Sequence, residues 1–171
     1  MRNYAKVSGS LWTGETGKEL RRRGSEALLV AMYLMTSPHS NMLGLYTQPV
    51  LYMAHETGLG ADGAAKGLQA CIDVGFCKYD ETSDVVWVVE MAAYQIAEEL
   101  RAGDKRCVGI QKDYEKLPNN RFLGEFFDRY QVAFHMKRRR ETEPDPFGKQ
   151  MPLVMPLRSQ EQEQEQEQEQ E

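Results

Sequence analysis

The side chains that most often carry catalysis or bind metal ions are few and scattered in this sequence. His39, His55 and His135 lie far apart, and His55 lacks the second histidine four residues later that a zinc-protease helix requires. Neither a phosphate-binding glycine loop nor the G-x-S-x-G pattern of a hydrolase nucleophile occurs. The sequence therefore predicts a protein that is not an enzyme, with no catalytic residue, no metal site and no cofactor.

One predicted helix, residues 61–74, carries polar side chains that can contact nucleic acid. Its small and apolar residues fall on one side, which places Ala65, Lys66 and Gln69 on the other. An amide such as Gln69 can pair with adenine, Lys66 can reach guanine or a phosphate, and Ala65 can touch a thymine methyl group. Because this face has no arginine, we expect it to make few direct hydrogen bonds to base edges.

Two basic clusters are further candidates for contacts with phosphate. The alternative for each cluster is a solvated helix end whose positive charges interact with the dipole of its own helix. The first cluster consists of Lys18, Arg21, Arg22 and Arg23, and the second of Lys137, Arg138, Arg139 and Arg140. Lys78 adds a positive charge to a predicted hairpin whose loop, residues 80–84, holds three carboxylates. An acidic hairpin opposes phosphate, so we expect it to face protein or solvent.

The elements that must position these residues are indicated by turn signals and apolar spacing. Thr47 is expected to cap a helix that ends at Gly58, and after a brief turn the helix at 61–74 is stopped by Gly75. Two runs rich in β-formers, 76–79 and 85–89, then form a hairpin. Helix, tight turn, helix and hairpin is the order of a winged helix-turn-helix.

Flanking segments complete the expected fold. An edge strand at 2–7 and helices at 15–23 and 26–35 are predicted before this motif, with Ser25 capping the second helix. Helices at 91–100, 105–117 and 120–136 are predicted after it. The last of these carries an apolar stripe with spacings of three and four, which is expected to pack back on the domain, although a partner groove or a symmetric dimer contact is the alternative.

The composition and charge of the chain narrow the classes of protein to which it can belong. The 171 residues are 41% hydrophobic and carry a net charge of −5. Residues 1–140 hold 19 basic and 17 acidic residues, whereas 141–171 hold 2 and 9, so the negative charge belongs to the tail. Strict Gln-Glu alternation in residues 160–171 predicts disorder and repels nucleic acid. Three cysteines without a C-x-x-C pair, no signal sequence and no long apolar run predict a cytoplasmic protein without membrane contact.

We therefore predict an α+β, mainly helical fold. It comprises a winged-helix domain at residues 1–100, a C-terminal helical extension at 101–136 that packs on it, and a disordered acidic tail at 137–171.

The motifs of this scaffold resemble those of phage and prophage replication-initiation proteins, the replisome organisers. The resemblance runs from Lys6-Val7 and Leu11-Trp12 through S-E-A-L-L-V-A-M-Y-L-M-T-S-P, which ends at Pro38. It continues with Gly44-Leu45-Tyr46, G-F-C-K-Y-D and V-V-W-V, and covers residues 1 to about 135. It implies a winged helix that engages origin DNA and a C-terminal part that engages the host helicase or its loader. The acidic wing and the short tail depart from that pattern.

Three functions remain open from the sequence. The leading hypothesis is a phage-derived DNA-binding protein of replication initiation that uses Lys66, Gln69 and the basic clusters. The second hypothesis assigns the same winged-helix fold to an adaptor or inhibitor of a host enzyme. An acidic surface on this protein can occupy the basic nucleic-acid site of such an enzyme. The third, a transcriptional regulator, ranks lowest because the sequence offers no sensor domain.

Overall fold

The computed structural model describes residues 4–141, so the predicted Gln-Glu tail lies outside the described part of the chain. These residues form an α+β fold in which helices predominate. The helices are α1 Ser10–Thr13, α2 Glu15–Arg23, α3 Ser25–Thr36, α4 Val50–Thr57, α5 Gly60–Asp73, α6 Met91–Gln95, α7 Lys105–Glu115 and α8 Leu123–Tyr130. The strands are β1 Leu45–Thr47, β2 Cys77–Asp80 and β3 Val85–Val88.

A three-stranded antiparallel sheet divides the molecule into two cores. Its order is β1-β3-β2, with Tyr46 opposite Val86 and Tyr79 also opposite Val86. Side chains alternate across a strand, so Val86 and Val88 face one core while Val85 and Trp87 face the other. All four residues of β3 are buried, which explains why its sequence is a continuous apolar run rather than an alternating one.

The first core lies between the sheet and helices α2 to α5. In α5 the buried residues Ala64, Gly67, Leu68 and Cys71 recur at spacings of three and four, as the sequence predicted. Gly67 meets α3 so closely that a Cβ atom there would lie 2.6 Å from the carbonyl oxygen of Glu26. The small residue therefore allows α3 and α5 to pack backbone to backbone.

The turn between α4 and α5 depends on glycine. Gly58 ends α4 with φ of 71°, a left-handed conformation that residues with a Cβ adopt at a cost. Only Leu59 separates it from the first residue of α5. The predicted pair of short helices joined by a brief turn is confirmed, and so is the hairpin that comes after it.

The second core covers the opposite face of the sheet. The predicted apolar stripe is buried there, and Phe126 lies against Trp87 with ring centroids 6.1 Å apart. The hydroxyl of Tyr130 donates to the carbonyl of Val89 at 2.7 Å, which ties α8 to the end of β3. Because the stripe packs within its own chain, it does not supply a symmetric contact to a second copy. Its residues are Phe122, Leu123, Phe126, Phe127, Tyr130 and Phe134.

Two predicted helix caps were wrong. Ser25 is the first residue of α3, and Gly24 precedes it as the cap without a side-chain hydrogen bond. Thr47 ends β1, and α4 begins only at Val50. The side chain of Gln48 explains this difference, since it is buried and bonded to Ser37 and Tyr33 rather than placed in a first helical turn.

Three predicted elements differ in extent. The helix expected at 91–100 ends at Gln95, whose amide both accepts from the backbone of Lys6 at 3.2 Å and donates to it at 2.7 Å. That bond holds the N-terminal segment in place, and residues 4–7 form no strand. The helix expected at 120–136 is regular only over Leu123–Tyr130 and then turns.

The start of the predicted tail was placed too early. Residues 137–140 make hydrogen bonds and ion pairs to α7 and α8, so they belong to the folded part. The run Lys-Arg-Arg-Arg carries no apolar side chain, which is why its sequence alone did not indicate packing on a helix.

Among residues 4–141, none of the helices combines the length and the apolar character that crossing a lipid bilayer would require.

Candidate nucleic-acid interface

The outer face of α5 carries the residues that the sequence selected. Ala65, Lys66 and Gln69 are all exposed, and so are Ala61 and Asp62 near the start of the helix. The opposite side of α5 packs on α3 and α4, which fixes the direction in which this face points. The predicted exposure of Lys66 and Gln69 is therefore confirmed.

Lys66 already has an anionic neighbour. Its Nζ lies 3.2 Å from Oε1 of Glu26, which comes from the first turn of α3. The backbone N–H of Glu26 and then the Lys66 ammonium hold the pKa of that carboxyl below its usual value. The lysine side chain is 67% exposed, so water screens this pair and the ammonium can change partners at little cost.

At the C-terminal end of α5, Asp73 connects the helix face to the first basic cluster. Nε2 of Gln69 donates to one carboxylate oxygen of Asp73 at 2.8 Å, and Arg23 contacts the other at 3.0 Å. The structure therefore brings Gln69 and Arg23 together around one aspartate. Sequence reasoning missed this link because 50 residues separate Arg23 from Asp73.

The rest of the first basic cluster also makes local contacts. Nζ of Lys18 lies 2.6 Å from Glu15, and Arg22 pairs with Glu19 one turn earlier on α2. Arg21 donates to the backbone carbonyl of Trp12. All three arginines of the cluster are exposed, so each guanidinium keeps donors directed toward solvent.

Most charges of the hairpin contact other protein groups, and Glu81 of its turn is exposed. Lys78 pairs with Glu125 of α8 and lies 5.3 Å from the centre of the Trp87 ring. Asp80 is buried and accepts from the hydroxyl of Ser83 at 2.6 Å, while Asp84 accepts from Tyr79 at 2.7 Å. Lys78 therefore lies beside the second core, and the hairpin turn presents no basic side chain.

The second basic cluster belongs to the opposite side of the sheet. Arg138 pairs with Glu115 at 2.7 Å, and Arg139 contacts Asp128 at 3.0 Å, which raises the pKa of its guanidinium. Arg140 donates to three carbonyl oxygens at the C-terminal end of α7 and so caps that helix. The Lys137 side chain is exposed. This cluster therefore lies across the sheet from the α5 face.

Sequence reasoning missed a row of lysines on α7. Lys105, Lys112 and Lys116 are exposed and stand seven and four residues apart, so they share one side of the helix. The spacing of these lysines within the predicted helix at 105–117 carries the signal, although they do not form a consecutive basic run.

A hydrogen-bonded cluster of polar side chains joins α3 to α4. The hydroxyl of Tyr33 donates to Glu56 at 2.7 Å, and His39 approaches the other oxygen of Glu56 at 3.0 Å. Burial raises the pKa of Tyr33 to about 12. A protonated phenol that donates to a carboxylate holds two elements together, and it is a poor base or nucleophile at neutral pH.

The described part of the chain contains an apolar cavity of about 290 Å³ between the N-terminal segment and the sheet. Its walls include Leu11, Phe76 and Met91, with Lys6 and Glu90 at its margins. Across residues 4–141, no group of three or more metal-binding side chains is arranged around a common point.

Comparison of this chain with protein-family models, with curated proteins and with solved structures finds no match.

Proposed function

We propose that this chain is a winged-helix protein that binds double-stranded DNA through α5 and the neighbouring Arg21–Arg23 edge of α2. The observation that carries the proposal is the order α3-β1-α4-α5-β2-β3 with a β1-β3-β2 sheet. In a helix-turn-helix of this kind, the second helix of the pair enters the major groove. Here that helix is α5, whose outer face is exposed.

The charges on this side support a contact with the DNA backbone more than direct reading of bases. Arg21, Arg22 and Arg23 are exposed beside α5, and Arg23 reaches it through Asp73. The ion pairs of Arg22 and Arg23 lie at the surface, where such pairs contribute about 0–1 kcal/mol and exchange readily for phosphate. Gln69 and Lys66 then remain as the side chains that can reach base edges.

The biological role proposed for this binding is phage replication initiation. Support comes from the resemblance of residues 6–38 and 44–88 to replisome organisers, which assemble proteins at origin DNA. The chain acts without chemistry of its own, and the helicase or helicase loader of the host is its proposed protein partner.

Fluorescence anisotropy with a labelled duplex tests the DNA contact on the full chain. Changing Lys66 to alanine is expected to weaken binding about three- to tenfold, because one phosphate or base contact is lost. The triple change of Arg21, Arg22 and Arg23 to alanine is expected to weaken it further and to reduce the salt slope by about one unit per lost contact.

Arg101→Ala is the control for Lys66→Ala. It removes the same charge from an exposed position next to the second core, on the other side of the sheet. The proposal predicts less than a twofold effect for this control. Binding that is absent even at low salt, or equal losses for Lys66→Ala and Arg101→Ala, would overturn the assignment of α5.

A second candidate function is an adaptor that does not bind DNA itself. One observation favours it: α4 exposes Leu51 and Tyr52, at 72% and 52%, next to a hairpin turn without basic groups. An apolar helix face of this kind fits a protein partner better than phosphate. The adaptor hypothesis predicts that Leu51→Asp abolishes a pull-down of the purified host helicase or its loader, while Lys66→Ala leaves that complex unchanged.

A further inference from the structure

Helix α7 presents an uncompensated positive stripe. Lys105, Lys112 and Lys116 lie within about 40° of one another around the helix axis, since each residue advances about 100°. Between them is Gly109, whose missing side chain leaves open space. We name Lys105, Lys112 and Lys116 the lysine stripe.

The lysine stripe differs from three other lysines of the described part of the chain. Within residues 4–141, none of its three ammonium groups lies within ion-pair distance of a carboxylate, whereas Lys18, Lys66 and Lys78 each have such a partner. The carboxylates of Asp104 and Glu115 are engaged by Arg106 and Arg138, and the exposed carboxylate of Asp113 lies beyond ion-pair distance of the three ammonium groups. The stripe therefore keeps three positive charges directed at solvent.

The described part of the chain ends alongside this same helix. The side chain of Gln111 accepts from the N–H of Lys137 at 2.9 Å and donates to the carbonyl of Arg138 at 3.0 Å. Arg140 then bonds to the end of α7. Glu115, which Arg138 contacts, is three residues from Lys112 and so borders the stripe, whereas Gln111 faces about 100° away from Lys112.

The remainder of the sequence is strongly acidic. Residues 141–171 hold 9 acidic and 2 basic residues, and 160–171 alternate strictly between Gln and Glu. An extended chain with this alternation presents its carboxylates on one side, about 6.6 Å apart. Lys112 and Lys116 are about 6 Å apart along the helix axis, and Lys105 is about 10.5 Å from Lys112. The charges are therefore complementary, and the carboxylate spacing matches that of Lys112 and Lys116.

We propose that the Gln-Glu segment 160–171 docks on the lysine stripe of its own α7. Eighteen residues separate Glu141 from Gln160, and a chain of that length can reach on the order of 25 Å, which is enough to return along a helix of this length. Tethering also holds the acidic segment at an effective concentration in the millimolar range. A contact made of exposed charges is short-lived and sensitive to salt, and it shields the stripe from other polyanions.

Paramagnetic broadening in the full chain tests this contact. A nitroxide is placed at the tail by Gln170→Cys in a Cys107→Ser background, since Cys71 and Cys77 are buried and do not react. At low salt the amide signals of Lys112 and Lys116 are expected to lose roughly half of their intensity or more. At about 1 M salt, where the Debye length is about 3 Å, the signals are expected to recover.

Two triple variants separate the stripe from general charge effects. Changing Lys105, Lys112 and Lys116 to glutamine is expected to abolish the broadening on α7. Changing Arg21, Arg22 and Lys66 to glutamine removes the same charge on the other side of the sheet and is expected to leave it in place. All six side chains are exposed, so both variants keep the fold.

Three results would overturn the proposal: no broadening on α7 at low salt, equal broadening across the surface, or broadening that appears only between labelled and unlabelled chains in a mixed sample. A further outcome is that duplex DNA shifts the amide signals of the lysine stripe while the nitroxide on the tail does not broaden them. That outcome would assign the stripe to nucleic-acid binding instead of the tail. None of these results depends on whether α5 binds DNA, because α5 lies on the opposite side of the sheet.

Discussion

The carboxylate of Glu56 joins side chains that come from three segments of the chain. Tyr33 and then His39 bond to it and hold the pKa of Glu56 below its ordinary value. A carboxyl with a lowered folded pKa stabilises the fold above its unfolded pKa, about 4.3, and this contribution is lost as pH falls through the folded value. Glu56 therefore makes stability depend on pH in the acidic range.

Glu56→Gln is expected to lower the free energy of unfolding at pH 7 by about 0.5–1 kcal/mol, a value discounted for the partial exposure of the group. Urea denaturation is expected to show that this difference shrinks as the pH falls through the lowered pKa of Glu56. Glu98→Gln is the control, since Glu98 is exposed and the change is predicted to alter stability by less than about 0.5 kcal/mol. A Glu56→Gln deficit that is the same at every pH would show that the side chain acts through shape rather than charge.

The exposure of individual residues could be predicted from the sequence, but their partners could not. The exposure of Lys66 and Gln69 follows from helical periodicity and was predicted correctly. The partner of Lys66 was not predicted, because Glu26 comes from a helix 40 residues earlier in the chain. Periodicity gives the side of a helix on which a residue lies, and only the tertiary packing decides which group stands opposite.

Among the elements, the contact between α3 and α5 depends on the absence of a side chain at Gly67. Alanine favours a helix over glycine by about 1 kcal/mol, but at this position its Cβ would overlap backbone atoms of Glu26. We predict that Gly67→Ala lowers the free energy of unfolding by about 1–3 kcal/mol, measured by urea denaturation.

Gly109→Ala is the matched control on α7, where a new Cβ meets nothing within 4 Å. It is expected to raise stability by about 0.5–1 kcal/mol, because only the helix propensity changes. If both substitutions stabilise, α3 and α5 are not as closely packed as described.

Element types were predicted better than element ends. Glycine marks the ends of α2 and α4, and these boundaries could be read from the sequence. The early end of α6 could not, since Gln95 turns inward to bond the backbone of Lys6 almost ninety residues earlier. A buried amide that holds a distant segment leaves no local signature.

For the whole molecule, the two cores share one sheet, so they are expected to unfold together. Phe126 is fully buried and contacts Trp87, Tyr114 and Tyr130. Phe126→Ala is predicted to cost about 3–5 kcal/mol, whereas Val132→Ala, at an exposed position, changes stability by less than about 0.5 kcal/mol.

Fluorescence of Trp87 in a Trp12→Phe background reports on the second core, since Trp87 is 1% exposed and Trp12 is largely accessible. Denaturation followed by Trp87 fluorescence and by helical circular dichroism is expected to give one coincident transition. Two separated transitions would mean that α7 and α8 fold independently of the sheet.

The central claim is that α5 and the Arg21–Arg23 edge of α2 meet DNA. Titration of the isotope-labelled full chain with a short duplex, followed by amide chemical shifts, tests it most directly. We predict shifts that cluster on Ala61, Ala65, Lys66, Gln69 and residues 21–23, while α8 and the Leu51 side of α4 stay unchanged. Shifts confined to the side of the sheet that carries α7 and α8, or no shifts at low salt, would contradict it.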